Sequence, residues 1–221
     1  MNFFRRKPKI EGEIGYFGLA EWWLSTFTDQ ERAYIEEDND PLPGGEGSLT
    51  RGKITFVSQT AGMFLSSLAS WFKKTDQDRS IAKRILKKAV ELARLSEDIL
   101  GLHFAYSALV EVWYRDRDKL PTALQEAIKA CLGQIAIAPQ AAKRFKKEYP
   151  KSPLPSHIGY TQLTIIYDKQ GRYDEAIQVA RQADKQGWAG DWEDRIERYQ
   201  KKKDKLSKPT KKSNAIPPNK T

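Results

Sequence analysis

Cysteine is almost missing from this chain: Cys131 is the single example among 221 residues. One thiol cannot close an intrachain disulfide and fits a reducing compartment, so a cytoplasmic location is expected. Histidine is nearly as scarce. His103 and His157 stand at the starts of two different predicted helices, and no His/Cys pair has metal-ligand spacing. The sequence contains no phosphate loop, nucleophile elbow or zinc-protease helix. The acidic clusters Glu36–Asp38 and Asp191–Asp194 lack the spaced oxygen ligands and turn glycine of a calcium loop. Gly12, Gly15 and Gly18 lie three apart with no strand before them, which is not the dinucleotide fingerprint. No metal, cofactor or catalytic residue is therefore assigned, and the chain reads as a non-enzyme.

Long apolar runs are also missing, which excludes a transmembrane helix on hydropathy grounds. The first nine residues are basic but no apolar core follows them, so they do not read as a secretory signal. Strand-like alternation is nearly absent. Only Lys53–Ser58 has it, and that stretch reads better as the start of a long helix leading to Trp71. What remains is an all-α chain long enough for one sizeable core.

Charge is present in quantity but unevenly placed. The net charge is +9; residues 1–9 supply +4, and residues 201–221, with eight lysines and Asp204, supply +7. Residues 10–200 therefore carry 9 − 4 − 7 = −2. The expected organisation is a basic N-terminal tail (1–9), a helical hairpin and loop (10–47), a helical body (48–200) and a lysine-rich tail (201–221), with disorder expected past about Leu206. Such tails can neutralise phosphates, touch an anionic membrane surface or simply solubilise the chain. Within the body, Lys143-Arg144-Phe145-Lys146-Lys147 reads as a solvated helix face.

The segment Ile14–Phe27 is too apolar to stand alone in water. Thr28-Asp29-Gln30-Glu31 is a capping-box pattern that opens a second short helix through Ile35. Trp22 and Trp23 lie about 100° apart on a helix, so one narrow stripe cannot take both. At the other end Trp188, Trp192, Ile196 and Tyr199 form one face of a final helix beginning near Asp191.

Between these ends the chain repeats itself. Tyr160-x-x-Leu163-x-x-x-Tyr167 is followed by Gly171 and Tyr173, then by Ala176-x-x-x-Ala180-x-x-Ala183 and Gly187-Trp188. Tyr106-x-x-Leu109-x-x-x-Trp113 has the same spacing and precedes Glu126-Ala127-Ile128, with Cys131 at the place of Ala180, a core position for a structural thiol. Leu65-x-x-Leu68-x-x-x-Phe72 repeats it again, before Ala82, Leu86 and Ala89. Insertions at Arg115–Pro121 and Pro139–Ser156 make the periods unequal. Large residues on one helix and small ones on the next allow close backbone approach in each pair.

These residues resemble the tetratricopeptide (TPR) pattern over roughly Gly62 to Trp188. Thr164 stands where the family usually has glycine or alanine, and Trp188 where it usually has proline. The resemblance implies a short right-handed α-solenoid of TPR-like hairpins, closed by the final helix as a cap. It also implies binding on a concave face lined by the first helix of each pair. That face would comprise Met63, Ser66, Ser67, Ser70 and Lys73; then Phe104, Ser107, Ala108, Glu111, Tyr114 and Arg115; then Ile158, Thr161, Gln162 and Ile165. Of these Lys73, Phe104, Glu111, Tyr114, Arg115, Ile158, Gln162 and Ile165 are the candidate partner-contacting residues. The lysine and asparagine clamp that some members use for a chaperone's terminal carboxylate is absent from these positions, which argues against a co-chaperone.

The resulting expectation is a scaffold that binds a protein or peptide segment. The alternative is a nucleic-acid-associated protein held to phosphate by its tails. Salt separates the two, since seven neutralised phosphates of duplex DNA would give a log–log slope of about −6.

Overall fold

The computed structural model describes residues 9–39 and 47–207. Among them are eleven helices and two very short strands. The chain divides into two compact units, Met1–Pro150 and Lys151–Thr221. The expected basic tail 1–9 is described only at Lys9, and residues 208–221 of the lysine-rich tail lie outside the described residues.

The first unit opens with α1 (Gly12–Tyr16), α2 (Ala20–Thr26) and α3 (Asp29–Asp38). The single apolar helix expected before Phe27 is thus two, and the expected hairpin is three short helices. Gly18 sits at φ 68° between α1 and α2, a left-handed conformation that ends the first without a Cβ penalty. Gly12 has a different role. The N–H groups of Glu11, Gly12, Glu13 and Ile14 donate to carbonyls of Thr50, Gly52, Ser48 and Leu49 at 2.9–3.1 Å. A Cβ on Gly12 would lie 2.3 Å from the Ser48 oxygen, so this turn fits against α1 because glycine is there. The Thr28/Glu31 capping box forms as read. Trp23 is fully buried, Trp22 half-buried, and both rings contact Phe27.

These helices pack on the first hairpin, α4 (Ala61–Ala69) and α5 (Asp76–Leu95). Phe17 stacks on Phe64 at 5.1 Å, and the Tyr34 hydroxyl donates to Asp78 at 2.6 Å. Arg84 on α5 lies over Phe27, pairs with Glu31 and donates to the Thr26 carbonyl. Lys53–Ser58 is neither strand nor helix. The Thr60 hydroxyl accepts from the Met63 N–H, so it caps α4 and delays the helix to Ala61. Leu65, Leu68, Ala69 and Phe72 of the repeat pattern are buried, as are Ala82, Leu86 and Ala89.

The second hairpin is α6 (Ile99–Arg115) and α7 (Ala123–Ala136). Helix α6 packs beside both α4 and α5, and α7 beside α6. Tyr106, Leu109, Ala127 and Cys131 are buried and Trp113 is half-buried. The stretch after Pro139, expected only as an insertion, forms a further helix, α8 (Ala138–Glu148), against α6 and α7. Its one-sided apolar residues Ala138, Ala141, Ala142 and Phe145 are buried, and Lys143, Arg144, Lys146 and Lys147 are exposed.

The second unit contains β1 (Leu154–Ser156), α9 (Ile158–Lys169), α10 (Tyr173–Gln186), β2 (Trp188–Ala189) and α11 (Trp192–Ser207). Helix α10 packs against both α9 and α11. Gly171, at φ 71°, turns α9 into α10, and Gly187, at φ 79°, ends α10. The strands pair in parallel, Leu154 opposite Trp188. Strands of two and three residues are too short to leave an alternating pattern, which is why the all-helical reading missed them. Trp188 is buried with its ring 4.6 Å from His157. Trp192 and Tyr199 are buried and Ile196 half-buried on one face of α11, whereas Trp188, expected on the same face, lies in β2. That helix runs through Ser207, so Lys201, Lys202, Lys203 and Lys205 of the lysine-rich segment are helical. Lys202 pairs with Asp168 at 2.6 Å. Tyr167 is half-buried with Arg172 over its ring at 4.1 Å, packed against Ala176, Ile177 and Tyr199.

Candidate functional site

Two hydrogen-bonding contacts set the register of α4 against α6. At one end the Thr60 hydroxyl donates to Asp98 at 2.7 Å; at the other Lys73 pairs with Glu111 at 3.4 Å. The separations are equal, 98 − 60 = 38 and 111 − 73 = 38. Helix α4 therefore runs parallel to α6 and in step with it between these two contacts. Equivalent motif positions are 106 − 65 = 41 apart, so the two hairpins are offset by just under one helical turn.

This register sets Met63 opposite Gly101, Ser70 opposite Ala108 and Lys73, just past the end of α4, opposite Glu111, while Phe104, Ser107, Ala108 and Glu111 form one stripe of α6 at helical spacing. Met63 on α4 and Phe104 on α6 are 41% and 48% exposed. The Phe104 ring meets Phe145 of α8 edge-on at 6.0 Å, which holds it in place. Of the predicted contact residues, the structure thus brings Lys73, Phe104 and Glu111 onto one surface. Tyr114 is half-buried under the Arg117 guanidinium at 4.4 Å, and Arg115 is exposed at the last turn of α6. Ile158, Gln162 and Ile165 form a half-buried stripe of α9 in the second unit.

Sequence reading missed the buried charges. Asp116 accepts from Arg79 Nε at 2.7 Å and from the Lys83 ammonium, and all three side chains are at most 8% exposed. Lys83 also lies over the Trp113 ring at 4.3 Å. Asp116 fell within a stretch read only as a turn. Its partners lie 37 and 33 residues earlier, a separation that no local pattern reports.

It also missed a cavity of about 730 Å³ where the C-terminal ends of α5 and α7 meet the start of α6 and α8. Its wall includes Arg94, whose guanidinium donates to the Tyr106 hydroxyl. Tyr106 in turn lies against Gly133, where a Cβ would come within 2.5 Å of the ring. Gly133→Ala should therefore destabilise the protein by about 1–3 kcal/mol, although alanine is the better helix former. Urea unfolding checks this, and a gain in stability would contradict the packing.

The remaining reactive groups are quiet. Burial pushes the Cys131 thiol up to about 12, so it is protonated at neutral pH. Iodoacetamide should leave native Cys131 unmodified and alkylate it fully in denaturant, as read by mass. Burial pushes His103 down to about 4, so its imidazole is neutral at pH 7. His157 Nδ1 accepts from the Tyr160 N–H at 3.2 Å and caps α9, a structural role. Among the described residues no group of three or more His, Cys, Asp or Glu is gathered as a metal site requires, and no helix is long and apolar enough to cross a membrane. Comparison with protein-family models, curated proteins and solved structures returned no match.

Proposed function

We propose that this protein is a non-catalytic interaction scaffold built of TPR-like hairpins, which holds a peptide segment of a partner protein across the face formed by α4 and α6. The observation that supports this is the parallel register of the two helices, with Phe104 exposed on the same stripe of α6 as Glu111, which Lys73 reaches. First helices lying side by side, with second helices behind them, is the arrangement the repeat pattern implies. The lining mixes two apolar anchors with serines and the Lys73–Glu111 pair. A lining of that kind suits a peptide whose apolar side chains seat while its backbone stays hydrated. The stripe of Ile158, Gln162 and Ile165 offers the same chemistry on the hairpin of the second unit. A cytoplasmic location belongs to this proposal and rests on the single cysteine.

The test compares partners captured from the native cell extract by the full chain and by a Met63→Glu/Phe104→Glu variant. Capture should fall at least about tenfold, as expected when apolar anchors are replaced by buried charge. Thermal unfolding of the variant accompanies it, since Phe104 also touches Phe145. Equal capture by a folded variant would contradict the assignment of this face.

A further inference from the structure

The cavity between α5, α6, α7 and α8 is independent of the α4/α6 face and has its own chemistry. Its floor is aliphatic: Ala93, Ile99, Leu102 and Ile137, with Ala136 exposed at its edge. Its rim is basic: Arg94, Lys143, Arg144 and Lys147 face the single acid Glu97, a balance of 4 − 1 = +3 in a body whose overall charge is slightly negative. The rim cations are differently engaged. Arg144 pairs with Glu148 at 2.6 Å. Lys143 and Lys147, one turn apart on α8, take part in no ion pair among the described residues. Arg94 is fixed by its bond to the buried Tyr106 hydroxyl, and the missing side chain at Gly133 gives that ring its place. A guanidinium held in this way presents its donors to a carboxylate with little ordering left to do.

The shape and lining narrow the occupant. A volume of about 730 Å³ lies within the roughly 300–1,000 Å³ of small-molecule sites. No aromatic ring lines the cavity, so nucleic-acid bases have no stacking platform. The walls are helices and helix ends, leaving no sheet edge for an extended peptide. An aliphatic floor under a cationic rim instead matches a molecule with one hydrocarbon tail and one anionic head. We propose that this cavity binds a long-chain carboxylate, with its tail on the floor and its head at Arg94, Lys143 and Lys147.

Isothermal titration of the full chain with sodium dodecanoate, below its aggregation concentration, tests the site. One saturable event is expected. Lys143→Glu/Lys147→Glu should weaken it by at least about tenfold through loss of two charge-assisted contacts. Ala136→Trp, which fills the cavity from an exposed position, should abolish it. Thermal unfolding should be unchanged in both variants, which separates loss of the site from loss of the fold. Equal affinity for dodecyltrimethylammonium would overturn the proposal, as would unchanged dodecanoate binding in folded variants or no saturable binding at all. Saturable binding of an amphipathic Glu/Leu peptide without binding of dodecanoate would assign the cavity to an acidic protein segment and equally overturn it.

Discussion

Asp116→Ala is expected to destabilise the first unit by about 3–5 kcal/mol, the cost of leaving buried charge without its partner. The carboxylate receives Arg79 on one oxygen and Lys83 on the other. Arg79 also donates to the Lys74 carbonyl and pairs with Asp76, and Lys83 stands over Trp113. Truncation removes the one carboxylate that both cations share, and leaves Lys83 beside Trp113 without its acceptor. Asp116→Asn, which keeps an acceptor oxygen, should cost less, and the comparison isolates charge from shape. Burial pushes the Asp116 carboxyl up, but the bonds from Lys83 and Arg79 outweigh that and hold it below the ordinary carboxylate range.

The sign of the pH dependence follows. A lowered folded-state value means that the network stabilises fully above the unfolded value of about 3.9 and is lost as pH falls through the folded value. His103 acts earlier in an acid titration. Its ordinary value of 6.5 falls to about 4 on burial, so the unfolded chain takes up its proton first. That interval corresponds to about 3 kcal/mol lost between about pH 6.5 and 4. Urea unfolding from pH 7 to 4 should therefore show the histidine loss in wild type and in Asp116→Ala alike, and below about pH 3.9 only wild type should lose the network's contribution. A variant as stable as wild type at pH 7 would contradict the network.

Tyr160→Ala is expected to cost the second unit about 3–5 kcal/mol. The ring is fully buried between His157 at 4.6 Å and Trp192 at 6.4 Å. Its loss opens a cavity where the β1–β2 pair, the start of α9 and the start of α11 meet. Hydrogen exchange reads the effect locally, with amides of α9–α11 losing protection. Tyr167 is the contrasting position on the same helix. It is half-buried and covered by Arg172, so truncation there should cost about 1–2 kcal/mol, below the about 3–5 kcal/mol a fully buried ring would lose. Equal costs at the two positions would contradict the placement of α9.

The hairpins were legible because each writes its packing locally. Leu65, Leu68, Ala82, Leu86, Leu109, Ala127, Tyr160, Leu163, Ala176 and Ala180 recur at helical spacing and are all buried. The Thr28 capping box and the turn at Gly171 were legible for the same reason. What was not legible depends on distant partners. Gly12 looks like part of a glycine series until the 48–52 turn lies against it. Asp116 looks like a turn residue until Arg79 and Lys83 reach it. Lys143 and Lys147 look like a solvated face, and exposed they are, but only the meeting of four helices makes that face the rim of a cavity. The division at Pro150 also left no local mark beyond Pro150 and Pro153, which punctuate many loops.

The most direct measurement on the proposed scaffold places a photo-reactive benzophenone side chain at position 104 in the full chain, in its native cells, with position 125 on the exposed face of α7 as control. The account predicts a defined protein crosslinked from position 104, joined through one short segment, and none from 125. Crosslinking from 125 alone, or equally from both positions, would contradict the assignment of the α4/α6 face as the binding surface.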